Sequence, residues 1–345
     1  MRAMRMLSVL ALLAAATFGG AVAQASTPPG PVGRSPSVAQ TYEVAFQTSA
    51  GALATYTPAS GVTLLPVSVM PGTSPSITAI PGGYEIAYQT PSGYLGLYGT
   101  APGSAPAWGM LAGTSPSITT LANGTFEVAF QTNTGDLATF STAAGPTLLT
   151  LGMAPGTSPG ITALSGGSYA IAFQANTNDL WTYSPVGGSV STPLGMMPGT
   201  SPSAAALSNN SFKVAFQANT GYPWTYDYPA ITSFAIPGAT ALSSGTSPSL
   251  VAVPDGYVAA MAWTTDTGVL QTYCFNGGGG LLDMGGPAAQ GYSPSIAAKI
   301  AGGPFEVAYV SSPAIGSAGG LSTVGSLGSV NTNFPVAPGT GTGII

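Results

Sequence analysis

The chain of 345 residues contains no histidine, one cysteine and only five lysines and arginines. Each scarcity closes a line of chemistry. Without histidine there is no Ser-His-Asp triad, no Cys-His dyad, no imidazole general base and no histidine-ligated zinc. The lone cysteine, Cys274, excludes an intramolecular disulfide, and its setting in Leu270-Gln271-Thr272-Tyr273-Cys274 reads as an apolar filler of a strand. Basic residues are too few to build a phosphate-binding surface, so nucleic acid is not an expected partner. Helix is excluded from the other direction, because 49 glycines and 31 prolines would interrupt nearly every turn.

What is present begins with an export address. Residues 1–26 carry two arginines, then an uninterrupted apolar run, then small residues at Ala21-Val22-Ala23 and Ala23-Gln24-Ala25. This reads as a secretory signal and predicts a secreted protein; for a retained anchor the run is short, and no basic stop-transfer flank follows. Residues 27–34 read as an unstructured leader. Beyond the signal the strong cations are Arg34, Lys213 and Lys299, set against ten carboxylates. No later stretch of about 20 residues is free of glycine, proline and polar interruption, so no membrane span is expected after signal removal.

The rest of the chain is one unit repeated. Ser-Pro pairs start seven copies at Ser35, Ser74, Ser115, Ser158, Ser201, Ser247 and Ser293, spaced 39 to 46 residues apart. In the copy from Ser115 to Met153 four β-type segments follow one another. They are Ser115 to Leu121, Phe126 to Gln131, Leu137 to Phe140 and Thr147 to Met153, with Asn133-Thr134-Gly135 as the hairpin turn between the middle two. Four short strands per unit at this period predict an all-β, seven-bladed β-propeller of four-stranded antiparallel blades over residues 35–340. Residues 341–345, Gly-Thr-Gly-Ile-Ile, echo the start of a copy and are assigned to a ring-closing tail.

Comparing the copies exposes a packing code. The second strand holds an alanine in all seven (Ala45, Ala87, Ala129, Ala172, Ala215, Ala262, Ala308), followed always by an aromatic (Phe46, Tyr88, Phe130, Phe173, Phe216, Trp263, Tyr309). Strand alternation sends these neighbours to opposite faces, so each blade offers a bump on one side and a hollow on the other. A leucine and, three residues later, an aromatic form two further columns on the third strand, as in Leu53 and Tyr56. These columns read as core between blades.

Few residues are left for function. Glu43, Glu85, Glu127 and Glu306 share one second-strand position, but stacked sheets lie about 10 Å apart, wider than the ~5–9.5 Å of a glycosidase pair. They read as hydrogen-bonded scaffold, and no catalytic residue, metal or cofactor is expected. Asn133-Thr134-Gly135-Asp136 and Asn176-Thr177-Asn178-Asp179 read as turns rather than calcium loops. Gln47, Gln89, Gln131, Gln174 and Gln217 stand two residues past the constant alanine, either as a ladder tying blades together or as amides gripping ligand hydroxyls. The position after the third-strand leucine is small or polar at Ala54, Gly96, Ala138, Gln271 and Ser322, but is tryptophan at Trp181 and Trp224. An indole there is either packing or a platform for the C–H face of a sugar. On the second reading Trp181, Trp224, Gln174, Gln217 and Asp179 are the candidate ligand-binding residues, and the competing reading is an interaction scaffold with no small-molecule ligand.

The unit Ser-Pro-Ser-Ile, Phe-Glu-Val-Ala-Phe-Gln, Asn-Thr-Gly-Asp, Asp-Leu-Trp-Thr-Tyr and Leu-Gly-Met resembles the repeat of seven-bladed bacterial lectins of the Photorhabdus lectin type and, more loosely, the tectonin repeat. The likeness covers Ser35 to Thr340. It implies a non-enzymatic protein that binds fucose or a related monosaccharide, free or within a glycan, in clefts between blades. The family's tryptophan after the third-strand leucine is matched only at Trp181 and Trp224, and glutamine stands where an arginine is common.

Overall fold

A computed structural model describes residues 42–100, 107–253, 259–275, 280–298, 305–312, 320–325 and 328–345. The signal, the leader, the first Ser-Pro pair and the segment Pro313 to Gly319 lie outside these residues. Seven antiparallel sheets follow one another along the chain, and among the described residues there is no α-helix. Within every sheet but the first the strands lie in chain order from the centre of the ring outward. Blade 3, for example, runs Ser117–Thr120, Phe126–Gln131, Asp136–Ser141, Gly145–Gly152. Six sheets have four strands. Blade 2 shows three (Ser76–Ile80, Gly83–Gln89, Leu95–Gly99), and the residues around Gly109 pair with Tyr94 where its outermost strand belongs.

Blade 1 is closed by the other end of the chain. Its second strand, Val44–Gln47, pairs on the inside with Thr342–Ile344, in register Val44 to Ile344 and Phe46 to Thr342. The place that the copy starting at Ser35 would fill is thus occupied by residues 342–344. Ring closure rests on these ladder bonds together with Glu43 N–H to Ile345 O and Ile345 N–H to Glu43 O.

The repeated Ser-Pro pair has a structural task. The backbone N–H of Ser74 donates to Ser115 Oγ at 2.9 Å, Ser115 to Ser158 at 2.8 Å, and Ser158 to Ser201, Ser201 to Ser247 and Ser247 to Ser293, each at 2.9 Å. Gly341 N–H donates in turn to Ser74 Oγ at 2.6 Å. The result is a belt of hydroxyls around a central cavity of about 260 Å³, each satisfying an inner-strand N–H that no ladder reaches. Gly341 has no hydroxyl to offer, so the belt ends at the closing strand.

Outside the belt the bump-and-hollow code holds at every interface. Ala45 shares a core cluster with Tyr88, Ala87 with Phe130, Ala129 with Phe173, Ala172 with Phe216, Ala215 with Trp263, Ala262 with Tyr309, and Ala308 with Phe46. The alanine of one blade receives the aromatic of the next, all the way round. Each aromatic buried this way contributes about 1.5–3 kcal/mol, and no blade could bury its faces alone. Cys274 is buried in the blade 6 and 7 cluster, and burial pushes its thiol pKa up, as suits a filler.

Candidate functional site

Strand pairing decides which side chains meet between blades. Trp181 lies directly across from Phe173, and Trp224 from Phe216. Cross-strand partners share a face, so each indole points the way its blade's constant aromatic does, toward the preceding blade. The Phe173 and Trp181 rings lie 6.3 Å apart, tilted by 48°. Both tryptophans are half-buried, in contrast to Trp263, which is fully enclosed.

Each of the two half-buried indoles opens onto a cleft. One, of about 160 Å³, lies between blades 3 and 4 and is lined by Thr150, Leu151, Gly152, Phe173, Ala175, Asn176 and Trp181. The other, of about 220 Å³, lies between blades 4 and 5 and is lined by Pro193, Leu194, Gly195, Phe216, Ala218, Asn219, Thr220 and Trp224. The outer strand of one blade forms one wall, and the second and third strands of the next form the other. The glycine in each wall lets an asparagine side chain lie close. A Cβ on Gly152 would sit 2.6 Å from Asn176 Nδ2, and one on Gly195 would sit 2.7 Å from Asn219 Nδ2. Each carboxamide therefore lies against bare backbone at the cleft, and the chain is held there by Asn176 N–H to Gly152 O at 3.1 Å and Asn219 N–H to Gly195 O at 3.0 Å.

The glutamines go elsewhere. Gln174 follows Phe173 by one residue and so faces away from Trp181, toward the following blade; Gln217 stands in the same relation to Phe216 and Trp224. Gln174 is fully buried, and its Nε2 reaches Met196 O at 3.4 Å and Met197 O at 3.3 Å. Gln217, also buried, donates to Gly221 O at 3.2 Å. Gln174 therefore faces blade 5 and Gln217 faces blade 6, and neither lines the Trp181 or the Trp224 cleft. They hold the chain behind the clefts, as Gln47 does at Val69 O and Met70 O. Asp179 is half-buried two residues before Trp181, paired with Gly195, and lines neither cleft.

Two other interfaces show what fills the space when the third-strand position is small. Beside Ala138, Trp108 reaches across from blade 2 and packs edge-on against Phe130 at 6.2 Å. Beside Ala54, Phe334 does the same against Phe46 at 5.7 Å. Leu151 and Leu194 hold the corresponding wall positions in the open clefts. At these four interfaces an aromatic comes from one wall or the other, and the pairing of tryptophan with leucine leaves room.

The conserved-position carboxylates lie at the opposite end of the second strand from these clefts. Glu127 is buried, and burial raises its pKa against hydrogen bonds from Thr139 and Ser141 that lower it. Burial likewise raises that of Glu43, against a hydrogen bond from Thr55. Where the other copies have glutamate or alanine, blade 5 has Lys213, buried in an ion pair with Asp227 and within 4.9 Å and 5.2 Å of the Phe275 and Phe234 ring centres. In the turn before Asp136, Thr134 Oγ1 donates to Asp136 Oδ2 at 3.1 Å, which fits a turn. Among the described residues no group of three or more His, Cys, Asp or Glu side chains stands together as a metal site, and no helix is long and apolar enough to cross a membrane.

Fold and clefts together define a seven-bladed β-propeller with two matched, tryptophan-floored openings between blades. No protein-family model matches the chain, and no curated protein matches it. Solved structures do. A SapL1 lectin in complex with alpha methyl fucoside superposes with a TM-score of 0.57 at 14% identity, over 79% of this chain and 98% of the lectin. AofleA from Arthrobotrys oligospora gives 0.54 at 15% identity, over 80% and 89%. A fucose-recognising Aleuria aurantia lectin, described as a six-bladed propeller, gives 0.53 at 12% identity, over 77% and 95%. At these identities the likeness establishes the propeller fold, and this ring has one blade more than the Aleuria lectin.

Proposed function

We propose that this chain is an exported, non-enzymatic carbohydrate-binding propeller that takes a neutral monosaccharide, free or at a glycan terminus, in the clefts floored by Trp181 and Trp224. The observation that carries the reading is the composition of these clefts: a partly exposed indole, an asparagine carboxamide laid against bare backbone, one threonine (Thr150 or Thr220) and otherwise apolar walls. Stacking of sugar C–H groups on an indole face, with a few polar groups fixing orientation, is how concave sites of this kind hold a ring. At about 160 and 220 Å³ the clefts fall below the ~300–1,000 Å³ of drug-sized sites, which suits one sugar ring.

The lining also bears on which sugar. Neither cleft contains a charged side chain, so a uronic or sialic acid would find no counter-ion. Leu151, Phe173 and Ala175 offer an apolar wall that suits the methyl group of a 6-deoxy sugar. Fucosides are the ligands in the SapL1 and Aleuria lectin complexes, and a fucose-like monosaccharide is the first candidate here. The kinship we infer is with the seven-bladed Photorhabdus type, which the blade count favours. Gln174 and Gln217 contribute as positioning residues behind the cleft walls.

The test is a glycan array with the secreted protein beside a Trp181→Ala/Trp224→Ala variant whose fold is checked by circular dichroism. Binding to a neutral, deoxy-sugar-containing class that the variant loses is the expected outcome. Retention of full binding by the variant would remove the clefts from the reading. Absence of binding by a folded, monodisperse wild type would favour an interaction scaffold with the indoles as packing.

A further inference from the structure

The two clefts correspond at six lining positions. Leu151 matches Leu194, Gly152 matches Gly195, Phe173 matches Phe216, Ala175 matches Ala218, Asn176 matches Asn219, and Trp181 matches Trp224. The equivalent wall position breaks the match, with Thr150 in one cleft and Pro193 in the other. Both residues sit where the outer strand slips register against the third strand, between Leu148 and Gly152 in blade 3 and opposite Asp179 to Trp181 in blade 4. Blade 1 has Pro66 at this bulge.

Thr150 is unusual in more than identity. Its φ is +51°, in the left-handed region, where β-branched side chains are rare because Cβ crowds the backbone. It is exposed, and it lines the same cavity as Trp181. A strained threonine at the rim of a binding cleft, where a sister blade is content with proline, calls for a reason that packing does not supply. A threonine in this lining brings a hydroxyl that proline cannot provide.

Resting on the carbohydrate reading of these clefts, we infer that Thr150 sets them apart: its hydroxyl hydrogen-bonds a hydroxyl of the sugar seated on Trp181, so the cleft between blades 3 and 4 is the tighter and more selective of the two. The Trp224 cleft has Pro193 in that wall and keeps Asn219 and Thr220 as its polar side chains; Thr220 has a sequence counterpart in Thr177 of blade 4, so the difference between the two sites falls on position 150. One hydrogen bond of ordinary strength separates the two sites by about three- to tenfold in affinity.

Four tryptophans make the test direct. Indole ¹⁵N labelling gives one resonance each for Trp108, Trp181, Trp224 and Trp263, assigned from single Trp→Phe variants, and methyl α-L-fucoside serves as the titrating probe. The Trp181 resonance is expected to reach its midpoint at a concentration about three- to tenfold lower than that of Trp224, with buried Trp263 unmoved. In Thr150→Gly the Trp181 midpoint rises to that of Trp224, the Trp224 midpoint stays where it was, and the melting temperature increases because glycine accepts the left-handed backbone. Thr150→Ser restores the tighter midpoint. Equal midpoints in the wild type, or a Thr150→Gly variant that leaves the Trp181 midpoint unchanged or weakens both sites alike, would overturn the assignment while leaving the sugar reading intact. Silence of both indoles toward fucoside and toward a panel of neutral methyl glycosides would overturn both.

Discussion

At the level of single residues, the interlocking of blades makes steric predictions sharp. Ala172 is fully buried where the Phe216 ring enters, so Ala172→Leu has no void to fill and is expected to cost about 1–3 kcal/mol by overpacking, read as a lower midpoint in urea. Asp227 offers a second case. Lys213 is 4% exposed and lies between two phenylalanine rings, so removing its counter-charge leaves a buried ammonium. Asp227→Asn is expected to destabilise by about 3 kcal/mol, while Lys213→Met with Asp227→Leu stays close to wild type. Equal losses in the single and double variants would show that the ion pair contributes net stability.

The alanine and aromatic columns were legible in the sequence because seven internal copies place the same residue types at the same strand position, and alternation converts position into face. The same alternation rule, applied to Gln174 against Phe173 and Trp181, separates glutamine from indole, but only once the register of the second and third strands is known. Thr150 and Trp108 escaped notice for a different reason. They lie in the outermost segment of a blade, which faces solvent on one side, and its sequence therefore drifts most between copies. Trp108-Gly109-Met110 set against Leu151-Gly152-Met153 does carry the signal, an aromatic where a leucine stands.

At the level of the element, the Ser-Pro pair shows how a motif can look functional and be structural. Its serines are acceptors for inner-strand N–H groups of the preceding blade, a need that arises because inner strands of neighbouring blades approach without forming a ladder. Ser158→Ala strands the Ser115 N–H and is expected to cost about 1–2 kcal/mol. Ser92→Ala, at an exposed turn, is the control and should stay within about 0.5 kcal/mol. Thermal denaturation of the two variants side by side separates the readings, and a Ser158→Ala variant as stable as the control would mean that water replaces the belt. The closing strand, Thr342–Ile344, was visible in the sequence only as a faint echo, since Gly341 and Gly343 stand where every copy but the one starting at Ser158 carries both serines.

For the molecule as a whole, the scarcity of charge becomes a statement about pH. Acid usually unfolds proteins by protonating carboxylates that the fold prefers ionised and by charging buried histidines. This chain has no histidine, and burial raises the pKa of Glu43 and Glu127 above the ordinary 4.5. A carboxyl whose folded pKa is raised favours folding when neutral. Its contribution is fully present below pH 4.5 and is lost as pH rises through the folded pKa. At the other extreme, burial pushes the phenols of Tyr42 and Tyr169 from 10.0 up to about 12, so their contribution persists to pH 10 and is lost between there and about 12. The ring is therefore expected to hold or gain melting temperature from pH 7 down to about 4 and to unfold in alkali between about 10 and 12. Glu127→Gln, which keeps the hydrogen-bonding shape and cannot ionise, should raise the melting temperature at pH 7 and flatten its dependence on pH. A wild type that melts progressively earlier from pH 6 to 4, with Glu127→Gln following the same slope, would show that carboxylates stabilised in their charged form govern the acid response, and that the buried glutamates do not.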